Sequence, residues 1–368
     1  MEKGIRRFGF FFFFVLLLTI SCQKEKSPVI ETIEGVQVIH NPKELVPQKG
    51  QPSKITFEEE LTIGEANGRE EYMFSIIRGV AVDDQSRMYI VDYRHANVRV
   101  YDVSGEYLFT IGKEGQGPDE FSRPSGVSIT TENFLVVDDS GNKTIKYFTL
   151  DGNYVKSFST AKIRMYARTI VSKQGYVLGL GTDIDPQNPV YEIRKFDENF
   201  QFQKIIRTCP TPSPGKINPF HPVFYFQIDR DDNIVYGFPE TYEIQVLNPE
   251  GEIIRRMLKD YDPVEISEEE KEEASKEYPE DFRIEFLKHY PPFRTFSVDD
   301  EGRIIVQAWA RHEEKLRFVY DVFDPEGFYV AKFYLEARPL LWKKGKMYAL
   351  AEDEEGFQSI KRYTVIWE

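Results

Sequence analysis

Hydrophobic and polar residues alternate along most of this chain, in short runs separated by polar turns. In residues 78–112, RGVAVDDQSRMYIVDYRHANVRVYDVSGEYLFTIG, an Asp-Asp turn, a polar loop and a Ser-Gly turn divide four such runs. Alternation with a period of two places apolar side chains on one face of a strand, and Gly and Asp favour turns between strands. This stretch therefore predicts four consecutive antiparallel β-strands.

The same arrangement recurs along the chain in six units. The turn after the third run recurs in the first five units at intervals of 47, 47, 52 and 76 residues, at Gly105, Gly152, Asn199, Gly251 and Gly327. Four short strands in about 47 residues are typical of a β-propeller blade. A single four-stranded sheet cannot cover both of its apolar faces, whereas a closed ring of sheets can. We therefore predict an all-β, six-bladed β-propeller.

The sixth unit lacks a fourth strand of its own, because the chain ends at YTVIWE. The segment ITFEEELTIG at 55–64 resembles EYLFTIG at 106–112, the fourth strand of the first unit. We expect this N-terminal strand to complete the last blade and to close the ring. The earlier segment GVQVIHNP at 35–42 is expected to add a further edge strand.

One insertion, about residues 263–292, interrupts the repeat. Ser267 and Glu270 have the spacing of a helix capping box. A second helical turn is predicted from Pro279 to the Pro-Pro pair at 291–292. Its apolar face would be formed by Phe282, Phe286, Leu287 and Tyr290. We therefore expect one helical insertion, with the acidic residues of 265–280 on a solvated face.

The N-terminus has the pattern of an export signal. The basic segment MEKGIRR precedes 13 apolar residues, FGFFFFFVLLLTI, which are too few for a membrane-spanning helix of about 20 residues. The following LTISC resembles a bacterial lipobox, from which Thr19 departs. The resemblance implies that residues 1–21 are a signal peptide, that Cys22 is lipidated, and that residues 22–32 form a tether to a propeller domain at 33–368. An uncleaved anchor or an ordinary signal peptide is the alternative.

Charge and cysteine content narrow the classes of function. The net charge of −14 argues against a nucleic-acid partner, because such binding needs a basic surface. Two cysteines are too few for a disulfide framework, and lipidation of Cys22 leaves Cys209 as a free thiol. The residues after Cys22, QKEKSP, contain no Asp at the first position, which favours the outer membrane, with the protein periplasmic or surface-exposed.

A family resemblance is clearest in the first two units. The segments GPDEFSRPSGVSI at 117–129 and RGVAVDDQSRMYIVDYRHANVRVYDVSGEYLFTIG closely resemble NHL repeats. VIHNP and the lipobox resemble the six-bladed β-propeller lipoproteins of Bacteroidota. This resemblance implies a lipid-anchored, extracytoplasmic propeller. The later units match by strand pattern alone.

Arginine recurs at the start of the inner strands, close to the channel mouth. By the channel mouth we mean the face that carries the connections between blades and the loops between second and third strands. The five residues are Arg78, Arg123, Arg168, Arg294 and Arg338. A ring of arginines would bind carboxylate, sulfate or phosphate groups through charge-assisted hydrogen bonds. Alternatively, each arginine pairs with a carboxylate such as Asp92, Asp138 or Glu352 and holds neighbouring blades together.

His95, Trp309 and His312 are predicted in loops at the same face, and we include them among the candidate ligand-binding residues. Trp309 offers a surface on which a sugar could stack. Three histidines from different blades, His95, His221 and His312, could instead bind one metal ion. No motif specifies a cofactor, so none is expected.

The predicted function is therefore binding or scaffolding, with an anionic or carbohydrate ligand or a protein partner at the channel mouth. The alternatives are a metal-dependent propeller lyase or lactonase, and a purely structural component of the envelope.

Overall fold

The computed structural model describes residues 27–47, 52–161, 165–183, 189–211, 216–279, 282–312 and 315–368. Regular structure in these residues is β-strand, apart from one α-helix and a short 3-10 helix at Glu70–Tyr72. None of the helices in this part of the chain is long and apolar enough to cross a membrane. The predicted signal peptide, residues 1–21, and the lipidation site Cys22 lie outside the described residues.

Six four-stranded antiparallel units confirm the predicted six-bladed β-propeller. Three strands precede the first blade: β1 (Val29–Ile33), β2 (Val36–Asn41) and β3 (Ile55–Ile63). Blade one contains β4 (Ile77–Val82), β5 (Met88–Asp92), β6 (Asn97–Tyr101) and β7 (Tyr107–Ile111). Blade two contains β8 (Pro124–Ile129), β9 (Phe134–Asp139), β10 (Thr144–Thr149) and β11 (Tyr154–Ser159). Blade three contains β12 (Met165–Val171), β13 (Val177–Asp183), β14 (Val190–Phe196) and β15 (Phe202–Pro210).

The second half of the ring follows the same order. The short strand β16 (Lys216–Ile217) precedes blade four, which contains β17 (Tyr225–Ile228), β18 (Ile234–Gly237), β19 (Glu243–Leu247) and β20 (Ile253–Lys259). The insertion contains α1 (Glu268–Ser275) and β21 (Arg283–Ile284). Blade five contains β22 (Phe293–Val298), β23 (Ile304–His312), β24 (Lys315–Phe323) and β25 (Tyr329–Tyr334). Blade six contains β26 (Arg338–Lys343), β27 (Lys346–Glu352), β28 (Gln358–Trp367) and β3.

The ring closes as the sequence predicts. Strand β3 pairs antiparallel with β28, from Ile63 opposite Ile360 to Ile55 opposite Trp367. Blade six therefore combines strands from both ends of the domain. This pairing leaves no open sheet between the first and the last blade.

The N-terminal hairpin of β1 and β2 extends blade four to six strands, because β2 pairs in parallel with β20. The expected edge strand at 35–42 is thus present. Residues 29–32, at the end of the predicted tether, belong to β1. Asn41 fixes the hairpin to blade five, where its side chain donates to the Gly327 carbonyl and accepts from the Tyr329 amide.

The core lies between blades, as the period-two alternation requires. Buried Tyr89 and Val100 of blade one pack in one cluster with Leu135 and Phe148 of blade two. The inner strands of adjacent blades also contact one another around the channel. Each blade therefore buries its apolar face against the next blade rather than against a helix.

The insertion is helical only in its first part. Ser267 and Glu270 form the predicted capping box, and no residue of α1 is buried. The predicted second helix is wrong, because Arg283–Ile284 pairs in parallel with Lys216–Ile217. This pairing between distant parts of the same chain keeps the segment extended. The apolar side chains therefore do not share one face, as they would on the predicted helix. Phe282 and Leu287 are 46% and 39% exposed, whereas Tyr290 is buried.

Candidate functional site

Three of the candidate arginines occupy β-bulges at the start of inner strands. Arg78 lies between the paired residues Ile77 and Gly79, and Arg294 lies between Phe293 and Thr295. Arg168 falls in the irregular stretch between Ala167 and Ile170, and its φ of 57° is in the left-handed region. A bulge turns one side chain away from the regular alternation of the strand. The shared position explains why these arginines are exposed on strands that otherwise bury apolar residues.

Arg123 and Arg338 occupy a different register. Each directly precedes a proline, Pro124 or Pro339, after which the bulge follows. The five arginines therefore form two layers along the channel rather than one ring.

Arg78 and Arg294 lie close enough to Arg338 to influence its pKa. The three arginines belong to blades one, five and six, whose inner strands are neighbours around the ring. The pKa of Arg338 is lowered, first by the surrounding protein and then by the positive charges of Arg294 and Arg78. Its side chain nevertheless stays accessible to solvent. This combination is expected for a guanidinium that protein atoms partly surround and that solvent still reaches.

Aromatic rings support several of these guanidinium groups. Arg78 lies 5.0 Å from the ring centre of Tyr93, and Arg294 lies 5.2 Å from that of Phe318. Arg168 lies 4.3 Å from the ring centre of Tyr225. Cation–π contact orients a guanidinium while leaving its N–H donors available. Sequence reasoning missed these rings, because most of them come from another strand or blade.

Within the described part of the chain, none of the five candidate arginines lies within ion-pair distance of a carboxylate. The proposed partners are engaged elsewhere. Asp92 accepts from Ser75 and His95, Asp138 accepts from the Thr169 amide, and Glu352 accepts from Gln358. In the described residues these arginines therefore do not form the alternative arrangement, in which each pairs with a carboxylate at the end of a second strand.

Arg123 stands apart from the other arginines. Its backbone amide donates to Asp139, which fixes the loop before blade two. Its side chain is exposed. Among the described residues, no ion pair or hydrogen bond of this side chain links it to Arg78, Arg294 or Arg338. It remains a candidate by position alone.

His95 belongs to a repeated structural turn. Its Nδ1 lies 2.8 Å from buried Asp92, and the Arg99 guanidinium lies 3.5 Å from the same carboxylate. Burial tends to raise the pKa of Asp92, but the hydrogen bonds from Ser75 and His95 outweigh burial and lower it. Blade two repeats the geometry with Asp139, Asn142 and Lys146. Asn142 in blade two occupies the position of His95 in blade one and likewise contacts the aspartate at the start of the turn. An imidazole is therefore not required to hold this turn in place.

Trp309 and His312 lie on a strand and not in a loop, because β23 continues to His312 opposite Lys315. Trp309 stacks on Tyr290 with ring centres 4.3 Å apart, and Phe318 lies 4.8 Å away. These rings cover much of the indole, so the free stacking platform expected for a sugar is not present. The side chain of His312 lies outside the described residues.

The described residues contain no group of three or more His, Cys, Asp or Glu side chains placed to hold a metal ion. His221 has a buried Nε2 without a hydrogen-bond partner, and its own amide donates to the Asn218 carbonyl. Because the His312 side chain is outside the described part, the three-histidine site stays a prediction. Stoichiometric metal in the purified protein would support it.

Comparison with known proteins agrees with the fold. The sequence model of the DUF5128 family, described as a 6-bladed beta-propeller, matches residues 67–206. No curated protein is significantly similar in sequence to the chain.

Several solved structures are similar in fold. A Bacteroides fragilis protein described as exported has 11% sequence identity and a TM-score of 0.52, covering 90% of this chain and 99% of its own. A DUF4221 member from Bacteroides vulgatus has 9% identity and a TM-score of 0.51, covering 86% and 100%. A gluconolactonase from Xanthomonas campestris has 11% identity and a TM-score of 0.47, covering 80% and 87%. At these identities the likeness concerns the fold alone.

Proposed function

We propose that this protein is an extracytoplasmic binding protein that holds an anionic ligand at the channel mouth. The observation that carries the proposal is the group Arg78, Arg294 and Arg338, three neighbouring guanidinium groups without a carboxylate partner among the described residues.

The positive charges of these three guanidinium groups are not compensated by carboxylates of the described residues. Desolvation is the first cause of the lowered pKa of Arg338, and the positive charges of Arg294 and Arg78 lower it further. An arginine keeps its charge at any physiological pH, so an anion from solution is the means left to compensate it. Carboxylate, sulfate and phosphate groups accept paired N–H bonds from a guanidinium. Each charge-assisted hydrogen bond contributes about 1.5–3 kcal/mol.

The location is part of the proposal. The basic and apolar N-terminal residues followed by LTISC support export and lipidation at Cys22. The similar Bacteroides fragilis protein, which is described as exported, is consistent with a propeller outside the cytoplasm. We place this protein on the outer membrane through its lipid, on the periplasmic or the outer side.

Thermal unfolding with candidate ligands tests the proposal. Sulfate, phosphate and an acidic peptide are compared with uncharged glucose, for the wild type and for Arg294→Gln and Arg338→Gln. Arg230→Gln is the matched control, because Arg230 is exposed in the turn between β17 and β18 and lies near Asp231.

At least one anion should raise the melting temperature of the wild type and of the control by a few degrees, because binding to the folded state stabilises it. The two channel variants should lose that shift while folding normally. Equal shifts in all four proteins, or shifts with glucose alone, would refute anion binding by these arginines.

A further inference from the structure

A cavity of about 220 Å³ lies between blades four and five, beneath the insertion. Blade four contributes Tyr242 and Lys259, blade five contributes Trp309 and Asp321, and the insertion contributes Tyr290. The cavity is separate from the channel arginines, none of which lines it. It is smaller than the roughly 300–1,000 Å³ of pockets for drug-sized ligands, so it suits one small ring.

A buried ion pair forms one side of the cavity. The Asp321 carboxylate is 2% exposed and accepts from the hydroxyl groups of Tyr242 and Tyr329. The Lys259 ammonium lies 3.3 Å from the same carboxylate, and its side chain is 6% exposed. The carboxylate is therefore well supplied with donors.

The Lys259 ammonium is not equally well supplied with acceptors. Among the described residues its one polar partner is Asp321, and it otherwise faces the rings of Tyr242 and Tyr329 at 5.1 and 4.7 Å. An ammonium carries three N–H donors. Burial lowers the pKa of Lys259 in spite of Asp321, and the nearby charge of Lys332 lowers it further. An additional acceptor in the cavity would relieve this deficit.

Charged residues of both signs line the cavity, including the acidic residues Glu44, Asp262 and Asp321. Lys332 stands directly opposite Asp321 in the strand register and also lines the cavity, so it provides a second ammonium group beside Lys259. The other cations that line the cavity have anionic partners, since Lys43 pairs with Asp262 and Arg311 pairs with Glu270. A carboxylate on a ligand would supply the hydrogen-bond acceptors that the Lys259 ammonium lacks.

Comparison between blades shows that this position has changed its role. Asp321 pairs with Val306 in the register in which Arg99 pairs with Ile90 and Lys146 pairs with Val137. In blades one and two the cations at this position, Arg99 and Lys146, donate hydrogen bonds to backbone carbonyls of the preceding loop. A loop aromatic residue also lies against that cation, Phe74 beside Arg99 and Phe121 beside Lys146. In blade five the charge is reversed and a cavity stands beside it.

We propose that this cavity binds a small organic monocarboxylate, with its carboxylate between Lys259 and Lys332 and its ring against the aromatic wall. Tyr242 and Tyr261 provide that wall. Val264 and Tyr290 of the insertion cover the bound ring. The proposal does not depend on the channel arginines.

Calorimetric titration of the purified full chain tests this site with benzoate and glucuronate as probes. Benzyl alcohol and glucose are their uncharged matches. The variants are Lys332→Met, on an exposed side chain, and the paired change Lys259→Met with Asp321→Asn, which removes both buried charges together. Lys195→Met is the control, because Lys195 is also a lysine whose pKa burial lowers and lies 4.2 Å from the ring of Tyr176 outside the cavity. Arg294→Gln reports on the channel.

One benzoate or glucuronate per chain should bind saturably, and its uncharged match should bind at least about tenfold more weakly. Affinity should fall about 10- to 100-fold in both cavity variants and stay unchanged in Lys195→Met and Arg294→Gln. No saturable binding of either acid to the wild type would overturn the proposal. Unchanged affinity in Lys332→Met, or loss of binding in Arg294→Gln, would overturn it as well. Lys332→Met decides the matter if the paired variant does not fold.

Discussion

Two aspartates at the ends of second strands show how surroundings set the properties of the same residue type. Asp92 is buried, but donors from Ser75 and His95 lower its pKa. Asp138 is also buried, accepts one hydrogen bond from the Thr169 amide and has an Oδ1 without a partner. Burial therefore raises the pKa of Asp138. The two residues should contribute to stability with opposite dependence on pH.

Replacement of Asp138 by Asn should stabilise the protein at pH 8. The folded-state pKa of Asp138 lies above its unfolded value, so the ionised group costs folding free energy, and that cost disappears as the pH falls below the unfolded value. Urea unfolding should show this gain at pH 8, and the gain should shrink as the pH is lowered toward 4. If the Asp138→Asn variant were destabilised equally at pH 4 and pH 8, ionised Asp138 would not cost folding free energy and this prediction would be wrong.

Replacement of Asp92 by Asn should have the opposite pH dependence. Its folded pKa is lowered, so its stabilisation is present above the unfolded value and is lost as the pH falls through the folded value. The free energy of unfolding of the variant should be about 3 kcal/mol lower at pH 7. The reason is that the hydrogen-bond donors of Ser75 and His95 lose their ionised acceptor. The difference from the wild type should shrink toward pH 3 in the same urea assay. A constant difference over that range would contradict this account.

At the residue scale, sequence reasoning identified the arginines but not their geometry. Arg78, Arg294 and Arg338 were visible as a repeated residue type at strand starts. Their bulges and their rings, such as Tyr93 and Phe318, depend on strand pairing and packing between elements. A repeat pattern contains no information about those contacts.

At the scale of single elements, the predicted and observed structures differ where the chain leaves the repeat. The closing strand β3 was predictable because its sequence resembles another fourth strand. The second helix of the insertion was not, because the pairing of Arg283–Ile284 with Lys216–Ile217 overrides the local pattern. The continuation of β23 past Trp309 was missed for a related reason, since its polar end resembles a loop.

Helix α1 should open without unfolding the propeller. Ser267→Ala removes the cap that accepts from the Glu270 amide, at a cost of about 1 kcal/mol to the helix. Since no residue of α1 is buried, this loss should accelerate hydrogen exchange at residues 268–275 and leave the global melting temperature nearly unchanged. Ser275→Ala serves as the control at the opposite end of the helix. A large fall in global stability would mean that α1 supports the ring.

At the scale of the whole molecule, the two cysteines test the predicted attachment to the membrane. Cys22→Ala should release the protein from the membrane fraction and leave its N-terminal mass without lipid. Cys209→Ala should stay attached, because Cys209 is buried in blade three and burial raises its pKa to about 11. Membrane attachment of Cys22→Ala would show that another segment holds the protein there.

The whole-molecule architecture was predictable because one burial argument applies to every blade. The apolar alternation that defines each unit also requires a neighbour, so the ring follows from the repeat. The cavity beside Lys259 and Asp321 was not predictable, because it forms where two blades and the insertion meet. Features that depend on differences between blades need the three-dimensional structure.

We propose above that the channel mouth holds an anion between neighbouring arginines. The most direct measurement is a crystal structure of the protein grown with selenate, whose selenium scatters anomalously and marks the anion. The account predicts an anomalous peak within hydrogen-bond distance of at least two of Arg78, Arg294 and Arg338. Absence of a peak there at saturating selenate, with the guanidinium groups paired to carboxylates of the chain, would contradict it.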